Sequence, residues 1–330
     1  MPNYKALLVI ILLLVSHLVQ AKATYFGNNT QINQFINEMV KKHNFDSDEL
    51  TKLFAKTRRH QSILDAIARP AESKPWREYR PIFLTRDRLR GGLKFWRENE
   101  ATLRRARETY GIPEEIIVAI IGVETRYGKH AGRYPVIDAL ATLAFAYPPR
   151  SPFFRRELQE YILMAREEGI DPLQQKGSYA GAMGMPQFMP SSFRQYAVDF
   201  SGDGQRDLWN NPVDVIGSVA NYFKKHRWKT GEPIAYKVKV KGNAYKKLLQ
   251  HNQRHRIKPH LSVQTLREHG ISLPKDLPAD MQGAFIELDG INGPEHWVVW
   301  HNFYVISRYN HSALYSMSVF QLSQQLRENR

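Results

Sequence analysis

Most of the chain carries apolar residues at the spacing of amphipathic helices. Between residues 30 and 110 they recur every three or four positions, beginning with the stripe that starts at Ile32. Breaks are expected at Pro75, Pro81 and Gly91-Gly92, because proline and glycine disfavour helix interiors. Further helices are predicted at residues 136–146, 153–168 and 312–327.

The hydrophobic period changes in the last third of the chain. Residues 236–241 alternate apolar side chains with lysines, which is the period of a half-buried strand. Residues 284–288 and 296–300 are further strand candidates, and residues 262–269 are expected to form a short helix. The pattern predicts an α+β fold that is mainly α, with a small β-containing domain in this part of the chain.

One segment, Ile116 to Val123, is apolar or glycine at every position. Such a run fits a buried strand as well as a buried helix. Pro113, Glu114 and Glu115 stand directly before it, and proline followed by acidic residues is a signal for the start of a helix. We therefore expect a buried helix that leads directly into Glu124.

Glu124 shares one face of this predicted helix with several isoleucines. Partial burial and the negative end of the helix dipole both disfavour its ionised form, so its pKa should be raised. A carboxyl group that keeps its proton can act as a general acid. The alternative is structural, with Glu124 capping a surface turn and pairing with Arg126 or Arg133.

The first 21 residues resemble an export signal. Lys5 gives the positive start, Ala6 to Val15 is apolar, and Val19-Gln20-Ala21 fits a cleavage site with small residues. The alternative is an uncleaved N-terminal anchor. The sequence contains no cysteine, which excludes a lipoprotein anchor, disulfides and thiolate metal sites. These features predict a periplasmic protein without a lipid anchor.

Charge favours an anionic partner. Without Lys5 the chain has 46 basic and 32 acidic residues, a net charge of +14. Nucleic acid, anionic lipid or a cell-wall polymer would suit such a surface. Export argues against nucleic acid, and the basic residues are scattered and match no nucleic-acid-binding signature.

The segment from Gly177 to Ser192 combines glycines, prolines and hydrogen-bonding side chains. Glycine lets a ligand approach the backbone, and Ser178 and Gln187 could bind that ligand. The alternative is a tight connection between helices, in which the methionines of the segment fill the core.

Residues 199–210 resemble a calcium-binding EF-hand loop. Oxygen-bearing side chains occupy alternate positions at Asp199, Ser201, Asp203 and Asp207, with a glycine at the sixth position and the Gln205 carbonyl at the seventh. Asn210 replaces the usual final glutamate, and Asp214 could supply the missing carboxylate if the loop is longer. The alternative is an ordinary surface turn.

Five motifs occur in an order that resembles the membrane-bound lytic murein transglycosylase B family, including its soluble form. They are G-V-E-T-R-Y-G, K-G-S-Y-A-G-A-M-G-M-P-Q-F-M-P-S-S, D-F-S-G-D-G, G-S-V-A-N-Y-F and R-Y-N-H-S. The resemblance implies a lysozyme-like helical core with an EF-hand-like loop, a helical domain and a small β-containing domain. The implied boundaries are a signal peptide at 1–21, a helical domain at 22–104 with a contribution from 136–170, a core at 105–232 with the loop at 199–214, a β-containing domain at 233–304, and a segment at 305–330 that returns to the core.

The resemblance also implies a substrate and a site. The family cuts the MurNAc–GlcNAc β-1,4 bond of peptidoglycan without water, leaving 1,6-anhydro-MurNAc ends. Glu124 corresponds to its only catalytic acid, which acts as acid and then as base. The implied glycan-groove residues are Tyr79, Ser178, Gln187, Tyr309, Asn310 and Tyr315. Met185-Pro186 departs from the tyrosine-glycine pair of the family.

The remaining implied ligands and partners follow from the same resemblance. A structural calcium ion would be held by Asp199, Ser201, Asp203, Gln205, Asp207 and Asp214. The stretch before Asp214 is one residue longer here than in the family. Peptidoglycan strands are the expected partner, with enzymes of cell-wall synthesis as further candidates, and no organic cofactor is expected. A hydrolytic muramidase and a non-catalytic wall-binding protein are the alternative functions.

Overall fold

The computed structural model describes residues 24–26, 29–68, 74–249 and 257–330. The predicted signal peptide lies outside these residues. Within them no helix is both long enough and apolar enough to cross a membrane.

Helices make up most of the described chain. They are α1 Thr30–His43, α2 Ser47–Lys56, α3 Gln61–Ile67, α4 Trp76–Phe83, α5 Arg86–Glu98, α6 Glu100–Tyr110, α7 Glu114–Thr125, α8 Val136–Ala146, α9 Ser151–Glu167, α10 Pro190–Tyr196, α11 Pro212–Lys225, α12 Val263–Glu268, α13 His301–Tyr309 and α14 Ala313–Glu328. Two short 3₁₀ turns cover residues 148–150 and 244–248.

The strands are few and mostly short. They are β1 Thr24–Tyr25, β2 Arg58–Arg59, β3 Tyr134–Pro135, β4 Lys176–Gly177, β5 Ala235–Lys237, β6 Leu261–Ser262, β7 Gln282–Gly290 and β8 Gly293–Val299. The first four form two two-stranded pairs, and the last four form one antiparallel sheet in the order β5-β8-β7-β6. The predicted mainly helical α+β class is confirmed.

The predicted helix after Pro113 is α7, and it lies at the centre of the largest hydrophobic cluster. Every residue from Ile116 to Val123 is buried. Helices α5, α6, α11 and α14 all contact it. A helix that is apolar on all sides needs such enclosure, because any exposed face would leave isoleucines in water.

The four-stranded sheet is covered on both faces. Ala284, Ile286 and Leu288 of β7 pack with α4, α13 and α14, through residues such as Trp76, Phe303 and Met317. Phe285 between them faces the opposite cluster with Trp300 and Leu266. Alternate side chains of a strand point to opposite faces, so one strand serves two cores.

Two predicted helix breaks are wrong. Helix α5 runs unbroken through Gly91-Gly92, and the chain breaks instead at Asn99. The glycines provide space, since a Cβ atom on Gly92 would lie 2.4 Å from the hydroxyl of Tyr127. Pro81 lies inside α4, which ends two residues later. Its position close to the end of a short helix limits the number of backbone hydrogen bonds that proline can interrupt.

Candidate active site

Glu124 lies in the last turn of α7, where the backbone reverses direction. Arg126 and Tyr127 follow with φ angles of 50° and 62°. Their amides donate to the carbonyls of Gly122 and Ile121, at 3.1 and 3.3 Å, which closes the end of the helix. Left-handed backbone at two consecutive non-glycine residues costs free energy and persists only when its surroundings enforce it.

Tyr315 donates a hydrogen bond to Glu124, with 2.6 Å between its hydroxyl and Oε1. Glu124 is partly exposed as a residue, whereas its carboxyl group is enclosed by protein. Burial raises the pKa of Glu124 to about 7, and the hydrogen bond from Tyr315 opposes that rise. Within the described chain Glu124 forms no ion pair, so the pairing with Arg126 or Arg133 that the structural alternative requires is absent.

Tyr309 and Tyr315 stand as parallel rings beside this carboxyl group. Their centroids are 6.5 Å apart and their planes differ by 12°. Ser312 caps α14 by accepting a hydrogen bond from the Tyr315 amide, and the Tyr309 hydroxyl donates to the Pro186 carbonyl at 2.6 Å. Burial and the neighbouring Glu124 hold the pKa of both phenols well above 10, so both remain hydrogen-bond donors.

The glycine-rich segment is fastened to the turn that follows Glu124. The Thr125 hydroxyl donates to the Met185 carbonyl at 2.8 Å, and Gln187 Nε2 donates to the Ala131 carbonyl at 3.0 Å. Gln187 itself has a φ of 52°, a third left-handed residue close to Glu124 in the fold. Its carbonyl oxygen Oε1 remains available as an acceptor.

Ser178 acts within its own loop. Its hydroxyl oxygen accepts hydrogen bonds from the amides of Ala180 and Ala182, at 3.3 and 3.0 Å, while its hydrogen can still be donated. Met183 is fully buried, as expected of a methionine that fills the core, while Ser178 and Gln187 are partly exposed, as a ligand-binding residue must be. The two interpretations of the glycine-rich segment are therefore compatible with each other.

Tyr79 and Asn310 are the remaining predicted groove residues, and Tyr79 is nearly as buried as Tyr315, which is 2 % exposed. Tyr79 is only 3 % exposed and packs against Phe83, with ring centroids 5.1 Å apart. The ionised form of Tyr79 would repel the ionised form of Tyr315, and this repulsion contributes to the raised pKa of Tyr315. Tyr79 therefore lies near Tyr315. Asn310 is partly exposed at the end of α13, and its carbonyl accepts from the Ser312 amide at 2.7 Å.

Three carboxyl groups of the predicted cation loop converge. Ligand atoms of Asp199, Asp203 and Asp214 lie within 4.8 Å of one another. The Ser201 hydroxyl is 3.1 Å from Asp199 Oδ1. Asp199 also accepts several loop amides, which lowers the pKa of its carboxyl group. Oxygen atoms in such a cluster suit a hard cation such as calcium.

Asp214, rather than Asn210, provides the late carboxylate of this loop. It lies in the first turn of α11, is fully buried, and accepts from the amides of Phe200 and Ser201 at 2.8 Å. The carboxylate of Asp207 is not one of the three that converge, and it accepts from the amides of Trp209 and Asn210, while the backbone amide of Asp207 donates to Asp214 Oδ2 at 3.1 Å. The backbone amide of Gln205 donates a hydrogen bond to Asp203 Oδ1, at 2.9 Å.

Sequence reasoning missed Thr125 and Tyr127. Thr125 connects the end of α7 to the glycine-rich segment, and Tyr127 occupies the slot formed by Gly91, Gly92 and Gly122. Its hydroxyl donates to the Arg88 carbonyl at 2.9 Å. A pair of glycines within an otherwise helical pattern was the available signal for a large side chain packed against the helix.

Comparison with known proteins gives a consistent result over nearly the whole chain. A family model described as the transglycosylase SLT domain matches residues 27–324. Membrane-bound lytic murein transglycosylase B of Escherichia coli (strain K12) is 45% identical over 318 residues, which cover 93% of this chain and 86% of that protein.

Two solved structures have the same fold. Soluble lytic transglycosylase SltB1 from Pseudomonas aeruginosa is 48% identical with a TM-score of 0.86, covering 91% of this chain and 99% of its own. Lytic transglycosylase Slt35 from Escherichia coli, solved in complex with calcium, is 43% identical with a TM-score of 0.84, covering 96% of this chain and 98% of its own.

Proposed function

This chain belongs to the lytic murein transglycosylase B family, and from that premise we propose that Glu124 is the single acid and base of its reaction. The protein is a lytic transglycosylase that acts on peptidoglycan. The bond cleaved is the β-1,4 bond between MurNAc and GlcNAc, and the MurNAc product ends in a 1,6-anhydro ring. The observation that supports Glu124 most is its enclosed carboxyl group, with a pKa raised to about 7.

In the first step Glu124 donates its proton to the glycosidic oxygen as the bond from that oxygen to MurNAc C1 breaks. The 2-acetamido group of MurNAc stabilises the positive charge that develops at C1. Glu124 is then a carboxylate and accepts the proton of the C6 hydroxyl, whose oxygen bonds to C1. The proton returns to Glu124 and no water is consumed, so the enzyme is ready for another cycle.

Both roles require a pKa close to the working pH. Burial keeps a substantial fraction of Glu124 protonated, and the hydrogen bond from Tyr315 stabilises the carboxylate once the proton has left. The pKa of Glu124 is shifted by burial and by the hydrogen bond from Tyr315, and no second carboxyl group of the described residues contributes to the shift. A two-carboxylate mechanism would need such a group near the scissile bond.

The remaining predicted residues would form the walls of the glycan groove. Tyr309, which is partly exposed, offers ring surface against a sugar, and Ser178, Gln187 and Asn310 offer hydrogen bonds. Tyr315 is only 2 % exposed and would act through its hydrogen bond to Glu124. Tyr79 would act indirectly, through its packing near Tyr315, because so little of its side chain is exposed. The turn that carries Glu124 and the segment that carries Gln187 are fixed to each other by the Thr125 hydroxyl.

Product analysis tests the reaction. Purified peptidoglycan digested by the protein should give anhydro-MurNAc ends by mass spectrometry, whereas reducing ends would identify a hydrolytic muramidase. Glu124→Gln should abolish cleavage while the protein stays folded and still binds glycan. Glu115→Gln, in the first turn of the same helix, is the matched control and should remain active. Cleavage by Glu124→Gln would refute the assignment.

Asp199, Asp203 and Asp214, with Ser201 and the Gln205 carbonyl, would hold a structural calcium ion. The donor set fits, because calcium takes about six to eight oxygen ligands and carboxylates dominate its sites. The two positive charges of the ion would offset most of the repulsion among three converging carboxylates and stabilise the loop between α10 and α11. Asp207 is left out of this set, since its carboxylate is not among those that converge within 4.8 Å.

The leader-like residues 1–21 support a location in the periplasm, where peptidoglycan lies. Membrane-bound lytic murein transglycosylase B carries a membrane location in its name, and this chain lacks the cysteine that a lipoprotein anchor needs. Fractionation of cells that express the full chain should recover it with periplasmic markers.

A further inference from the structure

A cationic cavity of about 380 Å³ lies between α5 and the turn that follows Glu124. The basic residues that line it are Arg88, Arg90, Lys94, Arg126, Lys129 and His130. Asp87 is the one acidic residue in its lining. A concave site lined with one sign of charge concentrates ligands of the opposite sign.

Four of these six basic residues have no carboxylate partner within the described chain. Arg90 pairs with Asp87 at 2.6 Å, and Lys94 pairs with Glu98 at 3.6 Å. No ion pair joins Arg88, Arg126, Lys129 or His130 to an acidic residue of the described ranges. The cavity therefore holds an excess of positive charge that the protein itself leaves uncompensated.

Arg88 is the most unusual member of this set. It is only 6 % exposed, and its guanidinium donates to two neutral acceptors, the Gly122 carbonyl at 2.9 Å and the Ile82 carbonyl at 2.6 Å. Burial and the nearby charge of Arg126 lower the pKa of Arg88. Its Nη2 atom donates to none of the described residues. A buried guanidinium without an anion is costly, and an anionic ligand would offset that cost.

The position of the cavity indicates which anion it meets. Arg126 follows Glu124 by two residues, and the segment from Arg126 to His130 leads directly to Ala131, whose carbonyl accepts from Gln187. Arg126, Lys129 and His130 are thus part of the turn that follows Glu124 and that is hydrogen-bonded to the glycine-rich segment, whereas the other three basic residues lie on α5. In murein, the MurNAc residue also carries a peptide with free carboxylates on its lactyl group.

We propose that this cavity binds a carboxylate of the peptide borne by the MurNAc residue that is cleaved. The proposal rests on the function proposed for Glu124, and it identifies the peptide as the part of the substrate that the protein recognises outside the glycan groove. An extended peptide spans about 10 Å in three residues, so its carboxylates can lie outside the groove that holds the sugar. Arg126 can offer paired N–H donors to a carboxylate, Arg88 can donate from Nη2, and Lys129 adds a point charge.

The test compares two substrates and two double variants. The substrates are glycan strands that retain their peptides and the same strands stripped of peptides by an amidase. One variant is Arg126→Asn with Lys129→Gln, in which asparagine tolerates the left-handed backbone at position 126. The control variant is Lys246→Gln with Lys247→Gln, which removes the same charge from exposed residues of the 3₁₀ turn at 244–248.

The cavity variant should lose about tenfold in kcat/KM on peptide-bearing strands, because charged hydrogen bonds to the carboxylate are lost. Its kcat/KM on stripped strands should stay within about twofold of the unchanged protein, and the control variant should match the unchanged protein on both. Equal losses on the two substrates, or no loss on either, would overturn the proposal.

A chemical arm identifies the recognised group. Peptide-bearing strands whose carboxylates have been converted to amides should be cleaved by the unchanged protein as slowly as stripped strands. Equal rates on amidated and untreated strands would overturn carboxylate recognition. Failure of the function proposed for Glu124 is distinguishable, since the unchanged protein would then cleave none of these strands to anhydro ends.

Discussion

Replacing Glu124 by glutamine should change the pH dependence of stability in a defined direction. The carboxyl group has a pKa of about 7 in the folded protein, against an ordinary value of 4.5. Between these values the folded chain holds a proton that the unfolded chain has released. The contribution of Glu124 to stability is therefore fully present below pH 4.5 and is lost as the pH rises through 7.

The size of this loss follows from the interval between the two pKa values. At 1.36 kcal/mol for each pKa unit, it corresponds to roughly 3 kcal/mol in the free energy of unfolding. Glutamine does not titrate, so Glu124→Gln should gain about 3 kcal/mol relative to the unchanged protein between pH 4 and pH 8. Other titrating groups are common to both proteins and cancel in the difference.

Urea unfolding of both proteins at pH 4, 6 and 8 measures this difference. Difference infrared spectra give a second readout that does not require unfolding, because the protonated carboxyl band of Glu124 should disappear near pH 7 and be missing from the variant. A difference in unfolding free energy that stays constant with pH, or that changes in the opposite direction, would refute burial as the cause of the raised pKa.

Three further experiments test individual contacts. Tyr315→Phe removes the hydrogen bond that favours the Glu124 carboxylate, so the basic limb of the pH–kcat profile should move to higher pH; a move to lower pH would contradict this role. Gly122→Ala places a Cβ atom 2.4 Å from the Tyr127 hydroxyl and 2.6 Å from the ring carbon that bears it, and should cost about 1–3 kcal/mol in urea unfolding. The cost should be smaller in a Tyr127→Ala background, which removes the whole ring; equal costs would show that the Tyr127 side chain does not cause the clash. Calcium at about 100 times its dissociation constant should stabilise the unchanged protein by about 2.7 kcal/mol. In thermal unfolding Asp214→Asn should lose this response to calcium, whereas Asp207→Asn should keep it. An equal loss in both variants would contradict the different roles given to these two aspartates.

Local patterns were sufficient to predict α7 and the position of Glu124. The run from Ile116 to Val123 had to be enclosed wherever it lay in the fold, because no arrangement of an exposed helix could hide so many isoleucines. The proline and acidic residues before it fixed where it begins. The mainly helical α+β class followed from the change in hydrophobic period, which also identified β7 and β8.

Contacts between distant parts of the chain were not predictable from local patterns. Tyr315 lies 191 residues after Glu124, and only the family resemblance connected them before the structure did. Gly91-Gly92 was misjudged for the same reason, because its function as space for the Tyr127 ring depends on packing between α5 and the turn after α7. Asp214 required the loop to continue past Asn210 into a helix, which the spacing of an ordinary EF-hand loop does not indicate.

The cationic cavity and the proposed acid are close in sequence, yet the pKa values of Glu124 and Arg88 are shifted by different neighbouring groups. Arg126 lies two residues from Glu124, but it is not among the groups that shift the pKa of that carboxyl group, whereas it does lower the pKa of Arg88. The left-handed turn at Arg126 and Tyr127 accounts for this, since it redirects the chain immediately after the helix ends. Binding of an anion by the cavity should then leave the proton affinity of Glu124 unchanged. The substitutions at Arg126 and Lys129 should accordingly reduce kcat/KM on peptide-bearing strands without moving its pH profile, and a shifted profile would mean that the two sites are coupled.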